Sequence, residues 1–347
     1  MAKQEKLPIH VLSGFLGSGK TTLLQRWMRG QNREDVALLV NEFGEVGIDH
    51  FLLQEVAPDT ILLPSGCVCC QIRGELKQAL LKLYEQRERA EVPAFSKVIL
   101  ETTGLADPAP ILSTLLHDRQ LQYHFAQGTL VTLVDAEHAW DQARRQPEWL
   151  LQVAAADRLL ISKGDRVTMD EIESLKDYLR QLNPLAQMME TGYAVDEPNQ
   201  LFAAPLVRHD KKALYRWLGD TPPGFALTNT EGAITQNVVH PVTHTCVISL
   251  EENVNWPAFA VWLSMLLHRH GQSILRLKGI LKVDENHTPI VIHGVQHSLH
   301  PPVHMNDWPG TLEMSQLVFI MRDIEPTQLK KSFLRFQHPF ITRNATL

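Results

Sequence analysis

The chain has 347 residues, 44% of them hydrophobic, and a net charge of −6 at neutral pH. This length predicts two domains, and the acidic balance offers no basic face for nucleic acid. Apolar runs fall well short of the ~20 residues that a membrane span needs, and residues 1–14 lead straight into a strand with no apolar leader segment. The expectation is a soluble cytoplasmic protein with neither a membrane nor a nucleic-acid partner.

In chain order, strands are predicted over residues 8–12, 36–40, 60–63, 97–100, 129–134, 158–161 and 187–189. Several are continuous apolar runs, the pattern of strands buried on both faces. Helical patterns fall between them at 21–28, 74–89, 108–116, 147–155 and 169–182. The alternation predicts a doubly wound, mostly parallel α/β sheet. Composition shifts near residue 205, and 206–236 reads as a linker. Beyond it, strands at 245–250, 274–283, 289–295 and 316–322 and helices at 256–268 and 326–336 predict a smaller α+β domain. The expected boundaries are 1–205, 206–236 and 237–340, with a frayed tail from 338.

The first strand enters Gly14-Phe-Leu-Gly17-Ser18-Gly19-Lys20-Thr21-Thr22. This is the full phosphate-binding P-loop pattern in its strand–loop–helix context. Glycines let successive backbone N–H groups face phosphate oxygens, and the following helix adds its dipole. Lys20 is placed to reach the β/γ-phosphates and Thr21 to ligate Mg²⁺. The fold is therefore expected to be of P-loop NTPase type.

Glu101 closes the apolar strand in Lys97-Val-Ile-Leu-Glu101-Thr-Thr-Gly104. A carboxylate there is able to hold a metal-bound water, so Lys20 and Glu101 are the catalytic candidates. Gly104 offers an N–H to a γ-phosphate on a loop that moves with nucleotide state. Thr21, Glu101 and Asp49 form the candidate Mg²⁺ side. After another apolar strand, Ser162-Lys163-Gly164-Asp165 sets a carboxylate to accept from guanine N1–H and N2–H₂, with the Lys163 stem across the base. Adenine lacks that donor pair.

Three of the four cysteines, Cys67, Cys69 and Cys70, fall within four residues. Such a cluster is no disulfide framework. Zinc takes four ligands, so three local thiolates leave a position for a further donor: Glu42, Glu45 or His117. An incomplete set favours transferable metal over a structural zinc knot or redox thiols. Cys246, in an apolar run, reads as core. Nine of the sixteen histidines lie between 240 and 304. Imidazole suits zinc, copper or nickel, but their spacings form no tight ligand motif, and solvated or core histidines are the expected reading.

Together these residues resemble the CobW/YjiA-like P-loop GTPases, the zinc-regulated GTPase metalloprotein activators. The resemblance rests on residues 14–22, Asn41-Glu-Phe-Gly-Glu-Val-Gly-Ile-Asp49, Gly66-Cys-Val-Cys-Cys70, Glu101-Thr-Thr-Gly-Leu-Ala-Asp-Pro108 and Ser162-Lys-Gly-Asp165. It continues through Leu275-Arg-Leu-Lys-Gly-Ile-Leu281, His293-Gly-Val-Gln296 and Trp308. It implies a GTPase domain followed by a CobW-type C-terminal domain. It also implies metal at Cys67, Cys69 and Cys70 coupled to nucleotide state, and a metal-dependent client protein; of the further donors, Glu45 is the zinc-ligand candidate carried forward. Two departures stand out. Val40 occupies the position where many relatives carry an additional Glu, and Ser162 replaces the usual Asn or Thr.

The expected activity is GTP hydrolysis with Mg²⁺, slow because no Gln is evidently placed to orient the attacking water. Two other classes share parts of this sequence. A small-molecule kinase would use the same P-loop but would need an Arg-rich lid, and none is evident. A passive zinc-storage module would need no P-loop.

Overall fold

Seven apolar segments of the first part of the chain form one sheet in the computed structural model. It describes residues 6–29, 35–41, 61–63, 70–192, 198–203, 243–283, 288–305, 308 and 314–341. The chain divides into two units, Met1–Asp177 with Ala186–Pro205, and Tyr178–Leu185 with Leu206–Leu347. The linker expected at 206–236 lies outside the described residues.

The first unit runs β1 (Leu7–Gly14), α1 (Lys20–Arg29), β2 (Val36–Asn41), β3 (Ile61–Leu63), α2 (Cys70–Glu88), β4 (Lys97–Glu101) and α3 (Pro108–His117). It continues through α4 (Arg119–His124), β5 (Phe125–Asp135), α5 (Ala139–Arg145), α6 (Pro147–Ala155), β6 (Arg158–Ser162), α7 (Met169–Leu182), β7 (Gln187–Glu190) and a single turn, α8 (Pro198–Leu201). The strands lie in the order β3-β2-β4-β1-β5-β6-β7, and every neighbouring pair is parallel. All seven therefore end at one edge. The chain first winds outward from β1 to β3, then returns through β4 and proceeds to β5–β7 on the other flank. The reversal falls at β1, and in open parallel sheets ligands bind beside such a switch point at the carboxyl ends.

Several strands are apolar runs buried along most of their length, as in parallel sheets covered by helices. Leu24, Trp27 and Met28 of α1 pack with Leu38, Ile99, Val131 and Leu160 from four different strands. Three helices, α4, α5 and α8, were not expected from the sequence. Each is under two turns, too short to show a 3.6-residue apolar period. Asp118 was the available signal for α4, since its carboxylate accepts from Gln120 N and Leu121 N at the helix start.

The second unit contains β8 (Thr243–Leu250), α9 (Trp256–His270), β9 (Ile274–Lys282), β10 (Pro289–Val295), β11 (Ser298–Leu299), β12 (Val303–His304), β13 (Ser315–Arg322) and α10 (Pro326–Ile341). Its sheet is antiparallel in the order β11-β10-β9-β13-β8, with β12 on β10. The helices α9 and α10 pack on one face. Trp262, 2% exposed, meets Phe319 and Phe333, and its Nε1 donates to Ser332 Oγ at 2.9 Å. Cys246 belongs to this core, as its apolar context predicts, and burial pushes its thiol up to about 11. The last helix reaches Ile341, past the point where fraying was expected. Phe333, 1% exposed, anchors it against the core.

One buried polar residue ties β1 to β5. His10 is 2% exposed, and its Nδ1 accepts from Thr129 N at 3.0 Å. Gly128 makes room for the ring, since a Cβ there would stand 2.6 Å from His10 Nδ1. Burial, reinforced by the charges of Lys97 and Arg158, lowers the imidazole from 6.5 to about 3. A proton on Nδ1 would also abolish the bond from Thr129. The unfolded chain thus binds a proton that the folded chain refuses. This contribution to stability is complete above 6.5 and is lost as pH falls toward 3. Replacing His10 with Leu should flatten the dependence of unfolding free energy on pH between about pH 4 and 6, by up to ~1.4 kcal/mol per pH unit. Denaturant unfolding at several pH values measures the slope.

Candidate nucleotide site

The P-loop leaves β1 at Gly14 and ends at Lys20, the first residue of α1. Gly14, Gly17 and Gly19 all have positive φ, at 141°, 73° and 94°. At Gly14 the surroundings also forbid a side chain, because a Cβ would lie 2.7 Å from Leu133 O. At Gly17 and Gly19 no described atom stands within 4 Å of a Cβ. Backbone conformation alone demands glycine there. Lys20 is 8% exposed, and its Nζ donates to Gly14 O at 2.8 Å and Phe15 O at 3.3 Å. The cation is thus held within the loop that precedes it. Ser13 Oγ and Ser18 Oγ are buried with no hydrogen-bond partner among the described residues. Such hydroxyls fit a loop built to receive a polar ligand.

Thr21 Oγ1 donates to Glu101 Oε1 at 2.8 Å. Glu101 is 4% exposed, so it is no solvated strand end. A hydroxyl and a buried carboxylate at this distance offer the hard oxygen donors that suit Mg²⁺. Beyond Glu101 the chain turns toward the P-loop. A Cβ on Gly104 would lie 2.6 Å from Leu16 N, so only glycine permits this approach. Asp107 accepts from Ala109 N and caps α3, with Pro108 at its first position.

On the base side, Ser162 ends β6 directly opposite Asp135 of β5. Its hydroxyl donates to Ser18 O of the P-loop at 2.8 Å. The residue that departs from the expected Asn therefore bonds the loop after β6 to the P-loop. Lys163 follows in the left-handed conformation, φ 56°. Its Nζ lies 2.6 Å from Asp135 Oδ2, which holds the far end of the stem. Asp165 is exposed in the one-turn segment Gly164–Arg166. Asp135 escaped the sequence reading, and its position at the end of an apolar strand was the usable signal. Among the described residues, the one close trio of metal-capable groups is Asp135, Glu137 and His138. Lys163 already pairs with Asp135, and Arg166 with Glu137 at 2.9 Å, which makes the trio part of an ion-pair cluster.

Cys67, Cys69, Glu42, Glu45 and Asp49 lie outside the described residues. Cys70 is the first residue of α2 rather than part of a loop before a helix near Arg73. The segment carrying the cysteines leaves β3 at Leu63, which pairs with Asn41 at the carboxyl edge of the sheet. His117 is not brought there. It ends α3, which carries the chain back toward the start of β5, and its Nδ1 bonds Ser113 O at 2.9 Å. The adjacent Asp118 pairs with Lys77, about 10 Å along α2 from Cys70. In the histidine-rich region, the rings of His293 and His300 stack with centroids 3.4 Å apart. Burial drives His293 well below its ordinary value, with the charges of His300, Arg276 and Lys278 adding to the shift. His297 Nδ1 bonds Leu267 O at 2.9 Å.

Residues 8–190 match the CobW/HypB/UreG nucleotide-binding domain, and residues 243–337 match the cobalamin synthesis protein cobW C-terminal domain. The chain belongs to the CobW/HypB/UreG family. Among curated relatives of this family, the zinc chaperone YjiA of Escherichia coli K12 is 29% identical over 327 residues, covering 94% of this chain and 98% of that protein. The zinc-regulated GTPase metalloprotein activator 1 of Schizosaccharomyces pombe is 27% identical, covering 61% of this chain and 53% of that protein. The crystal structure of Zn(II)-bound YjiA GTPase from E. coli shares the fold. Its TM-score is 0.66 at 24% identity, over 96% of this chain and 99% of that one.

The bond from Ser162 to Ser18 yields a test of the CobW-type site. Ser162→Ala removes the link between the two loops while leaving the phosphate contacts in place. A buried hydrogen bond of this kind contributes about 1 kcal/mol. GDP and a non-hydrolysable GTP analogue should therefore both bind roughly fivefold more weakly, as measured by calorimetry.

Proposed function

We propose that this protein is a slow GTPase that carries zinc at Cys67, Cys69 and Cys70 and delivers it to a metal-dependent client, with metal affinity set by nucleotide state. The observation that carries the reading is the shared sheet edge. Gly14, Glu101 and Leu63 close parallel strands at the same side, and Leu63 leads into the segment that bears the cysteines. The name of the 29% identical relative, a zinc chaperone, supports zinc as the cargo.

In this reading the P-loop amides and Lys20 bind the phosphates, and Asp165 accepts from the guanine edge. Thr21, Glu101 and Asp49 would hold Mg²⁺, which when bound supplies charge neutralisation at the β- and γ-phosphate oxygens. Gly104 distinguishes GTP from GDP, because only the former carries a terminal phosphate for its amide. Glu45 completes the zinc ligands in one nucleotide state and withdraws in the other. Nucleotide shifts metal affinity only through such a difference between states. A tenfold change requires ~1.4 kcal/mol of coupling, which the repositioning of one ligand supplies.

Two measurements test the proposal. Lys20→Ala removes the fixed cation beside the β/γ-phosphates and should lower GTP turnover by about a hundredfold or more, read as phosphate release with no added acceptor. Replacing Cys67, Cys69 and Cys70 together by Ser should abolish tight zinc binding yet leave GDP affinity within about twofold, since the phosphate contacts are intact. Zinc titrations of the wild type under GDP and under a non-hydrolysable GTP analogue should give different affinities, and affinity should fall with pH as the thiols take up protons. Equal affinities in the two nucleotide states would remove the coupled mechanism.

A further inference from the structure

Gln152 lies outside every motif of the sequence and outside the site described above. It sits on α6 with no exposed surface. Its Nε2 donates to Gly104 O and to Ala106 O, both at 3.0 Å. Both hydrogens of the amide are thereby committed to the loop that follows Glu101. Two carbonyl acceptors also fix the orientation of the group, because the reversed amide would set an oxygen against two oxygens. The backbone carbonyl of Gln152 accepts from Thr132 Oγ1 at 3.0 Å, which ties this turn of α6 to β5.

The loop it grips joins the end of β4 to the start of α3. Between Glu101 and α3 the chain is neither helix nor strand. Its backbone bonds there include Thr102 N to Leu12 O at 2.9 Å and Ala106 N to Thr103 O at 3.1 Å. Gly104 is buried against Leu16 of the P-loop, while the next residue, Leu105, is 46% exposed. Among the described residues, the Gly104 peptide is held by its contact with the P-loop and by the clamp at its carbonyl.

We propose that Gln152 is a positioning residue for the γ-phosphate step: its amide holds the Gly104 and Ala106 carbonyls so that the loop between Glu101 and Asp107 stays in register with the P-loop. This rests on the GTPase reading above. GDP has no terminal phosphate and does not address the loop. A positioning role therefore predicts an effect on the triphosphate state and on turnover, with diphosphate binding spared. A purely structural role predicts equal weakening of both.

Two variants separate these outcomes. Gln152→Met keeps the length and volume of the side chain and removes both donors. Gln152→Glu is isosteric and sets a carboxylate against two carbonyls. For the full chain and each variant, the melting temperature, the affinities for GDP and for a non-hydrolysable GTP analogue, and single-turnover hydrolysis at saturating GTP are measured. Both variants should hydrolyse GTP about tenfold more slowly or worse and bind the analogue about fivefold more weakly, with GDP affinity within about twofold of wild type. Unchanged hydrolysis in both variants overturns the proposal. So does loss of GDP and analogue binding by the same factor, or loss of all binding in both, either of which assigns Gln152 to the fold alone. A wild-type protein that does not hydrolyse GTP overturns the GTPase reading and the proposal with it, whereas an active wild type with unaffected variants overturns the proposal alone.

Discussion

The bond from Thr21 to Glu101 joins the first turn of α1 to the end of β4, and the register of the sheet is what makes it possible. Leu12 of β1 lies opposite Glu101, and Gly14 lies opposite Leu133 of β5. Side chains alternate across a strand, so a slip of one residue in β4 would turn Glu101 to the opposite face and leave Thr21 without its acceptor. The apolar residues that precede Glu101, Val98, Ile99 and Leu100, are each at most 1% exposed. Burial of that run on both faces fixes the register. The position of a carboxylate beside the P-loop is thus set by hydrophobic packing several residues away.

The same economy governs the base side. Ser162 and Asp135 are opposed across neighbouring strands. One reaches the P-loop carbonyl of Ser18 and the other holds Lys163. The Ser162 hydroxyl therefore bridges the P-loop and the loop that carries Asp165. Any shift in one loop is felt by the other through a single buried hydroxyl. The serine that stands in place of the expected asparagine makes this tie directly, because the backbone of β6 brings its short side chain within 2.8 Å of Ser18 O.

Much of this was legible from the sequence, and for a definite reason. The strands of the first unit are continuous apolar runs, and the P-loop and its glycines are local patterns whose physical demands stay within a few residues. The burial of Cys246 followed equally from its neighbours. What was not legible depends on contacts between distant positions. Gln152 meets Gly104 across 48 residues, Lys163 meets Asp135 across 28, and His10 meets Thr129 across 119. No local pattern marks such residues. His117 is a case where chemistry alone gave no position: it suited zinc, and the structure places it at the end of a helix that leads back toward the start of β5. The start of α2 at Cys70, four residues before the apolar period suggested, has the same origin: helix ends are set by capping and packing more than by periodicity.

The burial of Cys246 has a practical consequence. A thiol lifted to about 11 and 2% exposed carries almost no thiolate at neutral pH, and thiolate is the form that reacts with alkylating reagents. In the folded protein such reagents will therefore report on the clustered cysteines alone, and the fourth equivalent will appear only on denaturation. The second unit thus carries an internal standard: once metal is removed by a chelator, the one thiol that reacts only on denaturation reports the fraction of folded C-terminal domain.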